Sequence, residues 1–177
     1  MVTSAGDTLT FLRRLRAVRE YTPEPVADEV IRDILDVGRW SGSASNRQPT
    51  EVVVVRDRAV LQLMANNGVR AAAGAPLALV VVTAGDADRR EIEAFDNGRL
   101  VERLLLAAKA HGLGSNISTL KEQGPELVGK ALGIPEGRWI WTVVTIGHID
   151  QEARRARTGG PNPGRKPSET FAHWDRY

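Results

Sequence analysis

The side chains that most often perform chemistry in enzymes are sparse in this sequence. It has no cysteine, which excludes thiol catalysis and cysteine-based metal sites. Its histidines, His111, His148 and His173, show no metal-ligand spacing. Ser43 and Ser45 lack the surrounding Gly-x-Ser-x-Gly turn that presents a nucleophilic serine in hydrolases. No protein acid, base or nucleophile stands out, so an enzyme with this sequence would take its chemistry from a cofactor.

Two common nucleotide-binding signatures are out of context or absent. Residues 112–117, GLGSNI, are similar to the glycine-rich dinucleotide turn, but that turn follows a strand and opens a helix. Here the segment follows a helical pattern, so a Rossmann-type site is not expected. There is also no Walker A sequence, which excludes P-loop chemistry.

Basic residues are concentrated at the two ends of the chain. The net charge is only +2, but residues 1–19 hold four Arg against one Asp. Residues 151–177 hold five Arg and one Lys against three acidic residues, and the stretch between the ends is mildly acidic. The ends are either solvated charge or two parts of one anion site. Nucleic acid is a weak alternative, because no aromatic residues interleave with the basic ones.

A long polar connection, SGSASNRQPT at residues 41–50, separates a helical pattern from an apolar strand pattern. Connections of this kind usually need about two to six residues. The loop carries Ser43, Asn46 and Gln48, whose hydroxyl and amide groups can both donate and accept hydrogen bonds. These residue types indicate ligand binding but do not name the ligand.

Hydrophobic periodicity predicts helices that alternate with strands. Helical spacing is found at residues 8–18 (with Asp7 as the N-cap), about 25–40, 57–67, 88–111 and 125–133. Apolar runs rich in β-branched residues predict buried strands at 51–56, 76–84 and 139–147. Residues 114–118 are expected to be a short connection. The tail after Asp150 is expected to be an extended, ordered arm, because it is rich in Gly and Pro.

The chain has the size and composition of one globular domain. Its 177 residues, 42% of them hydrophobic, can form a real core, so we expect a single domain over 1–177. The alternation of elements predicts an α/β or α+β fold around one sheet. With no run of 18 apolar residues and no signal-peptide pattern, we expect a cytoplasmic protein without a membrane span.

Four separated segments, taken in order, match one known family. They are residues 16–26 (RAVREYTPEPV), 40–55 (WSGSASNRQPTEVVVV), 96–115 (DNGRLVERLLLAAKAHGLGS), and the end, GHIDQ with GRKPSETFAHW. They resemble the opening arginine-rich segment, the Ser-x-x-Asn-x-Gln-Pro loop, the central helix with its Gly-Leu-Gly-Ser turn, and the closing segment of the nitroreductase family. No single motif is very specific, but the ordered set covers nearly the whole chain.

This resemblance implies a fold, a cofactor and a set of binding residues. The fold would be α+β, with a central, mostly antiparallel sheet flanked by helices, in a homodimer whose C-terminal arm wraps the partner. FMN would bind non-covalently at the dimer interface, and the basic ends would reach its phosphate. No catalytic side chain and no metal site are implied. The residues that match FMN-binding positions are Arg16, Ala17, Arg19, Ser43, Asn46, Gln48, Leu113, Gly114, Arg165 and Lys166.

The activity implied by the resemblance is FMN-dependent oxidation of NAD(P)H. Hydride would pass through flavin N5 to a nitroaromatic, quinone or similar small-molecule acceptor in ping-pong order. One alternative is a flavin-binding protein that is not an enzyme. Another is a family member of flavin-destroying or dehalogenating chemistry, although the extra lid segments usual in those enzymes are not visible here.

Four residues depart from the family pattern. Leu15 stands where Arg is common and Ala17 where Ser is common, and both changes remove phosphate contacts. Gly42 replaces Pro, which predicts a looser loop. Thr50 replaces Trp, which alters the packing behind the loop. Together these departures predict weaker FMN binding rather than a different cofactor.

Overall fold

Within residues 4–157 and 164–177, the sheet has four strands, all paired antiparallel. The computed structural model of the protein describes residues 4–157 and 164–177. The strands lie in the order β1-β2-β4-β3 and are β1 (Glu51–Val55), β2 (Leu77–Thr83), β3 (Gly114–Thr119) and β4 (Trp139–Gly147). This arrangement confirms the expected α+β fold with an antiparallel sheet.

Helices cover both faces of this sheet. They are α1 (Ala5–Arg13), α2 (Asp28–Arg39), α3 (Arg58–Asn66), α4 (Arg90–Ala110), α5 (Gly124–Ala131), α6 (Gln151–Ala156) and α7 (Ser168–Phe171). None of the helices within the described ranges is both long and apolar enough to cross a membrane. Within the same ranges, no three His, Asp or Glu side chains are grouped so that they could hold a metal ion.

The central strand β2 divides the core into two layers. All seven of its residues are buried, and its side chains alternate between the faces as the period of a strand requires. One face, with Leu79, packs against α2 and α4. The other, with Val80, packs against α3 and α5. Each face therefore has its own apolar cluster, and the sheet joins them.

Helix α4 lies at the centre of the first layer. Its Leu104 and Ala108 are fully buried, as its long apolar pattern predicts. Gly38 of α2 lies directly against it, since a Cβ atom at this position would come within 2.6 Å of Leu104 Cδ2. Close packing of these two helices fixes the end of α2, from which the polar loop of residues 41–50 departs.

Strand β3 was predicted as a connection and is an edge strand. Its residues, GSNIST, are small or polar and carry little hydrophobic pattern, so the sequence gives no strand signal. Regular antiparallel pairing with β4 over all six positions supplies the strand hydrogen bonds instead. The three strands that were predicted from apolar runs, at residues 51–56, 76–84 and 139–147, are all present as β1, β2 and β4.

Helix α1 begins and ends earlier than predicted. Ser4, not Asp7, is the N-cap, and the two residues form a capping box in which Asp7 N donates to Ser4 Oγ over 3.1 Å. After Arg13 the chain turns and becomes extended. There Val18 N donates to Ser115 O over 2.8 Å, next to a bridge between Ala17 and Ser115. The first segment is thereby attached to the free edge of β3.

Two other boundaries differ from the predicted ones. Helix α2 begins at Asp28 rather than near Pro25, because residues 25–27 are not helical and the N-cap, Ala27, is extended. The tail contains two short helices, α6 and α7, where an extended arm was expected. Residues 158–163 of that arm lie outside the described residues. The first tail helix is capped by Asp150, whose Oδ1 accepts from Ala153 N over 2.8 Å.

Candidate cofactor site

A basic cavity of about 570 Å³ lies between α1, α4 and the outer edge of β3. We call it the basic cavity because Arg13, Arg16 and Arg165 line it, against one acidic residue, Glu102. Two of these arginines come from the N-terminal segment and one from the C-terminal segment. The two basic ends of the sequence therefore meet here, as the single-anion interpretation predicted.

The arginines of the basic cavity have no carboxylate partners in the described part of the chain. Arg16 Nη1 donates to two backbone carbonyls, Arg13 O over 2.6 Å and Leu15 O over 2.7 Å. None of the three arginines belongs to an ion pair within residues 4–157 and 164–177. Uncompensated guanidinium groups around one cavity favour an anion, and their planar donors suit a phosphate.

Asn116 adds a second polar feature to the same cavity. It is 1% exposed, and its Nδ2 donates to Ser118 Oγ over 2.8 Å. Its Oδ1 is buried and has no hydrogen-bond partner among the described residues. A buried acceptor left unpaired costs about 1–3 kcal/mol, so a donor that reached this oxygen would be stabilising. Sequence reasoning missed Asn116 because its segment was taken for a connection.

The outer edge of β3 extends this polar lining beyond the cavity. Residues of an antiparallel strand point their backbone groups alternately to either side. Because Ser115 O accepts from Val18 on the outer side, Ile117 and Thr119 also direct their N–H and C=O groups outward. No strand of the described residues pairs with them there. The basic cavity thus continues into a row of backbone donors and acceptors.

A smaller cavity of about 290 Å³ adjoins the basic cavity at Ile117, which lines both. Trp139 and Trp141 form its walls, so we call it the tryptophan cavity. The Arg90 guanidinium lies 4.3 Å from the Trp139 ring centroid, and Trp141 is 56% exposed. Asn97 Oδ1 is buried there without a hydrogen-bond partner among the described residues. The flat apolar faces of the two tryptophan rings suit a planar ligand.

The polar loop of residues 41–50 has an unusual backbone. Ser45, Asn46 and Gln48 have φ values of 52°, 53° and 50°, in the left-handed region that non-glycine residues rarely adopt. Ser43 Oγ accepts from Gln48 N over 2.8 Å and so closes the loop on itself. Several strained residues in one short segment are characteristic of ligand-binding loops.

One chain does not bring this loop to the basic cavity. Ser43 and Gln48 line a third cavity of about 320 Å³, between α2, α4 and β1, and Asn46 is exposed on the loop. This cavity and the basic cavity share no lining residue. The two groups of predicted FMN-binding residues are therefore separate within a single chain.

The remaining predicted residues occupy varied positions. Ala17 lines the basic cavity, whereas the exposed Arg19 and Lys166 are not among its lining residues. Leu113 is 5% exposed and belongs to the core on the α4 face. Gly114 allows close packing instead, since a Cβ atom there would lie 2.6 Å from Val18 Cγ1.

Tyr21 anchors the segment that leads from the basic cavity into the core. Its buried hydroxyl donates to Val18 O over 2.5 Å and lies 2.9 Å from Thr145 Oγ1, with which it shares a second hydrogen bond. Burial raises the pKa of this hydroxyl well above its ordinary value, and the Thr145 hydrogen bond only partly opposes that effect. The residue is thus a structural tether and stays protonated at neutral pH.

Known proteins share both this sequence pattern and this fold. The sequence profile of the nitroreductase family matches residues 12–67 and 60–148. The NADH dehydrogenase of Thermus thermophilus is 29% identical over 183 residues, covering 82% of this chain and 88% of that protein. The NADPH-flavin oxidoreductase of Vibrio harveyi is 27% identical over 191 residues, covering 97% of this chain and 75% of that protein.

A solved structure agrees with the sequence comparison. A Bacteroides thetaiotaomicron protein, provisionally named an NADH dehydrogenase/NAD(P)H nitroreductase, superposes with a TM-score of 0.82 at 26% identity. The match covers 98% of this chain and 100% of that one. Sequence and fold agree over most of its length, and the chain is therefore a member of the nitroreductase family of oxidoreductases.

Proposed function

We propose that the protein is an FMN-dependent oxidoreductase that uses NAD(P)H to reduce a small-molecule acceptor such as a nitroaromatic or a quinone. The observation that carries this proposal is the basic cavity, where arginines from both ends of the chain lie beside a buried, unpartnered amide oxygen. The name of the Vibrio harveyi relative, a NADPH-flavin oxidoreductase, supports a flavin.

The residues of the basic cavity fit the parts of FMN. Arg16 and Arg165 would hold the phosphate, and the added Arg13 offsets the arginine and serine that the family pattern has at Leu15 and Ala17. Asn116 Oδ1 would accept a hydrogen bond from a hydroxyl of the ribityl chain. The outward backbone groups of Ile117 and Thr119 would pair with the polar edge of the ring system.

The protein's own contribution is binding, orientation and electrostatics. FMN, when bound, supplies the redox chemistry, and hydride transfer requires no protein acid or base. Backbone donors along β3 would set the polarity around the ring. The tryptophan cavity, which adjoins the basic cavity at Ile117, would hold the planar acceptor between apolar walls and exclude water.

We further propose that the active unit is a homodimer. Loop 41–50 lies apart from the basic cavity in one chain, so a second copy would have to supply it to complete the site. Leu9 and Leu12 of α1 are 48% and 44% exposed, and the tail residues Phe171 and Trp174 are 80% and 90% exposed. Exposed large apolar side chains in two separate segments are typical of an interface.

The first experiment is to identify the bound ligand and the activity. Heat-released ligand should co-migrate with FMN, and the purified protein should oxidise NADH or NADPH when an acceptor is added. A colourless protein that gains no flavin absorbance with added FMN would contradict the cofactor. A yellow protein that oxidises neither nicotinamide would instead be a flavin-binding protein.

The dimer is tested by removing residues 159–177. Truncation should shift the dimer toward monomer and release FMN, because Arg165 leaves together with the exposed aromatic residues. Light scattering reports the first effect and flavin fluorescence the second. A truncated protein that remains dimeric and yellow would show that the tail has neither role.

A further inference from the structure

Asp96 of α4 makes the contact that joins the central helix to the polar loop. Its side chain is 6% exposed, and Oδ2 accepts a hydrogen bond from Ala44 N over 2.9 Å. Its other oxygen, Oδ1, lies 3.5 Å from Nη1 of Arg99, one helical turn further along α4. A buried carboxylate thus has one partner on the loop and one on its own helix, which offsets the cost of burying its charge.

The position of this contact on the loop is informative. Ala44 directly precedes Ser45 and Asn46, the first two residues in the left-handed region. Such conformations are unfavourable for residues with a side chain and persist only where the surroundings impose them. Ala44 is the point at which the loop's backbone is tied to a rigid, central helix. The strained conformation is therefore held from α4.

Arg99 makes a second connection to the same loop through Gly42. A Cβ atom at Gly42 would lie 2.6 Å from Arg99 Nη2, so the guanidinium occupies the space that any other side chain would need. Gly42 was expected to loosen the loop, because the family pattern has Pro there. The structure shows instead that the absence of a side chain admits the arginine that pairs with Asp96.

We propose that Asp96 and Arg99 form a clamp that holds loop residues 43–48 in the conformation that binds the ligand. This inference rests on the proposed function, in which the loop of one copy completes the flavin site of the other. Neither clamp residue lines the basic cavity, although Asp96 lines the third cavity beside Ser43 and Gln48. We assign both a positioning role, because their contacts are with the backbone of the loop at Ala44 and Gly42. When only a fraction of the chains has a competent loop, the apparent affinity falls by that fraction.

The main test removes the loop's anchor. Asp96→Ala should weaken binding on the order of ten- to a hundredfold, the range for loss of a hydrogen bond to a charged group. The factor should be the same for FMN and riboflavin, because the clamp does not touch the phosphate. Titration of flavin fluorescence with apoprotein measures both. Arg103→Ala, which removes an exposed arginine from the same helix, is the matched control and should leave both affinities unchanged.

A second pair of variants tests the clamp without removing the buried carboxylate. Gly42→Ala should displace the flexible end of Arg99 and weaken the binding of both FMN and riboflavin. The fold should be kept, because only the tip of one side chain must move. In the double variant Gly42→Ala/Arg99→Ala the steric conflict is gone. Its affinity loss should therefore be smaller than the sum of the two single losses.

Amide exchange separates the clamp from the proposed cofactor. In Asp96→Ala, the amides of Ala44 and Gln48 should exchange faster than in the wild type, whether or not a flavin binds. Unchanged exchange and unchanged flavin affinity in folded Asp96→Ala, or a wild-type affinity for Gly42→Ala, would overturn the clamp. If the wild type binds no flavin, but amide exchange at Ala44 and Gln48 is still faster in Asp96→Ala than in the wild type, only the proposed function is overturned.

Discussion

Two neighbouring basic residues near the C-terminus provide a sharp comparison. The family pattern assigns both Arg165 and Lys166 to the phosphate of FMN. In the structure Arg165 lines the basic cavity and Lys166 does not. We therefore expect Arg165→Ala to weaken FMN binding clearly and Lys166→Ala to weaken it little, although each variant removes one positive charge from the same segment.

The magnitude follows from the kind of contact that is lost. A hydrogen bond to a charged group contributes about 1.5–3 kcal/mol, which corresponds to roughly a ten- to 150-fold change in Kd. Arg165 is exposed in the ligand-free chain, so salt screens its charge and places the loss near the lower limit, about tenfold. Riboflavin has no phosphate, and its affinity should change by less than about twofold.

The assay is a titration of both flavins with apoprotein, followed by the quenching of flavin fluorescence. Salt weakens both an exposed direct contact and general attraction, so each variant is compared at one fixed ionic strength, and the comparison with riboflavin shows whether the phosphate is involved. Equal losses for FMN and riboflavin in Arg165→Ala would refute the phosphate assignment. Equal losses in the two variants would refute the distinction drawn from the cavity.

Three further predictions concern other parts of the site. Asn116→Ala should weaken the binding of FMN and of riboflavin equally, because both flavins carry the ribityl chain, and it should also lower the stability of the apoprotein by about 0.5–1.5 kcal/mol, because Nδ2 loses its hydrogen bond to Ser118 Oγ; a loss of affinity confined to FMN would contradict this. Trp141→Ala should raise the KM for a nitroaromatic or quinone acceptor several-fold with the FMN Kd unchanged, and an unaltered KM would place the acceptor elsewhere. Tyr21→Phe should destabilise the protein by about 1–3 kcal/mol at pH 7, measured by urea denaturation. Because the folded pKa of Tyr21 is raised, its contribution is present below the usual tyrosine pKa of about 10 and falls above it by up to about 1.4 kcal/mol per pH unit, a slope the Phe variant should lack.

The strands that the sequence predicts correctly are those with a strong apolar pattern. β2 is buried on both faces, so all of its residues except Thr83 are apolar and the run is visible without any structure. β3 is invisible for the opposite reason. It lies at the sheet margin, where Ser115 and Asn116 face the basic cavity, and a strand that serves a polar site cannot carry a hydrophobic pattern.

The candidate site could be predicted only in part. The family motifs pointed to Arg16, Ala17 and Arg165, and these three predicted residues line the basic cavity. They could not identify Arg13, because it lies within an amphipathic helix where an arginine needs no special explanation. Nor could they identify Asp96, whose contact with Ala44 joins residues that are 52 positions apart in the sequence. Contacts of this length depend on how two helices pack, and no local pattern records that.

The strained loop has a consequence for anyone who engineers this protein for stability. Glycine adopts positive φ at little cost, so replacing Ser45 or Gln48 by Gly should relieve backbone strain and raise the melting temperature of the free chain. Relief of backbone strain at a positive φ is one way to stabilise a protein. Here these substitutions would also free the loop to sample other conformations, and the change at Gln48 would delete a side chain that matches a ligand-binding position. Heat resistance and turnover should therefore be selected together, since at residues 43–48 improvement in one is expected to come at the expense of the other.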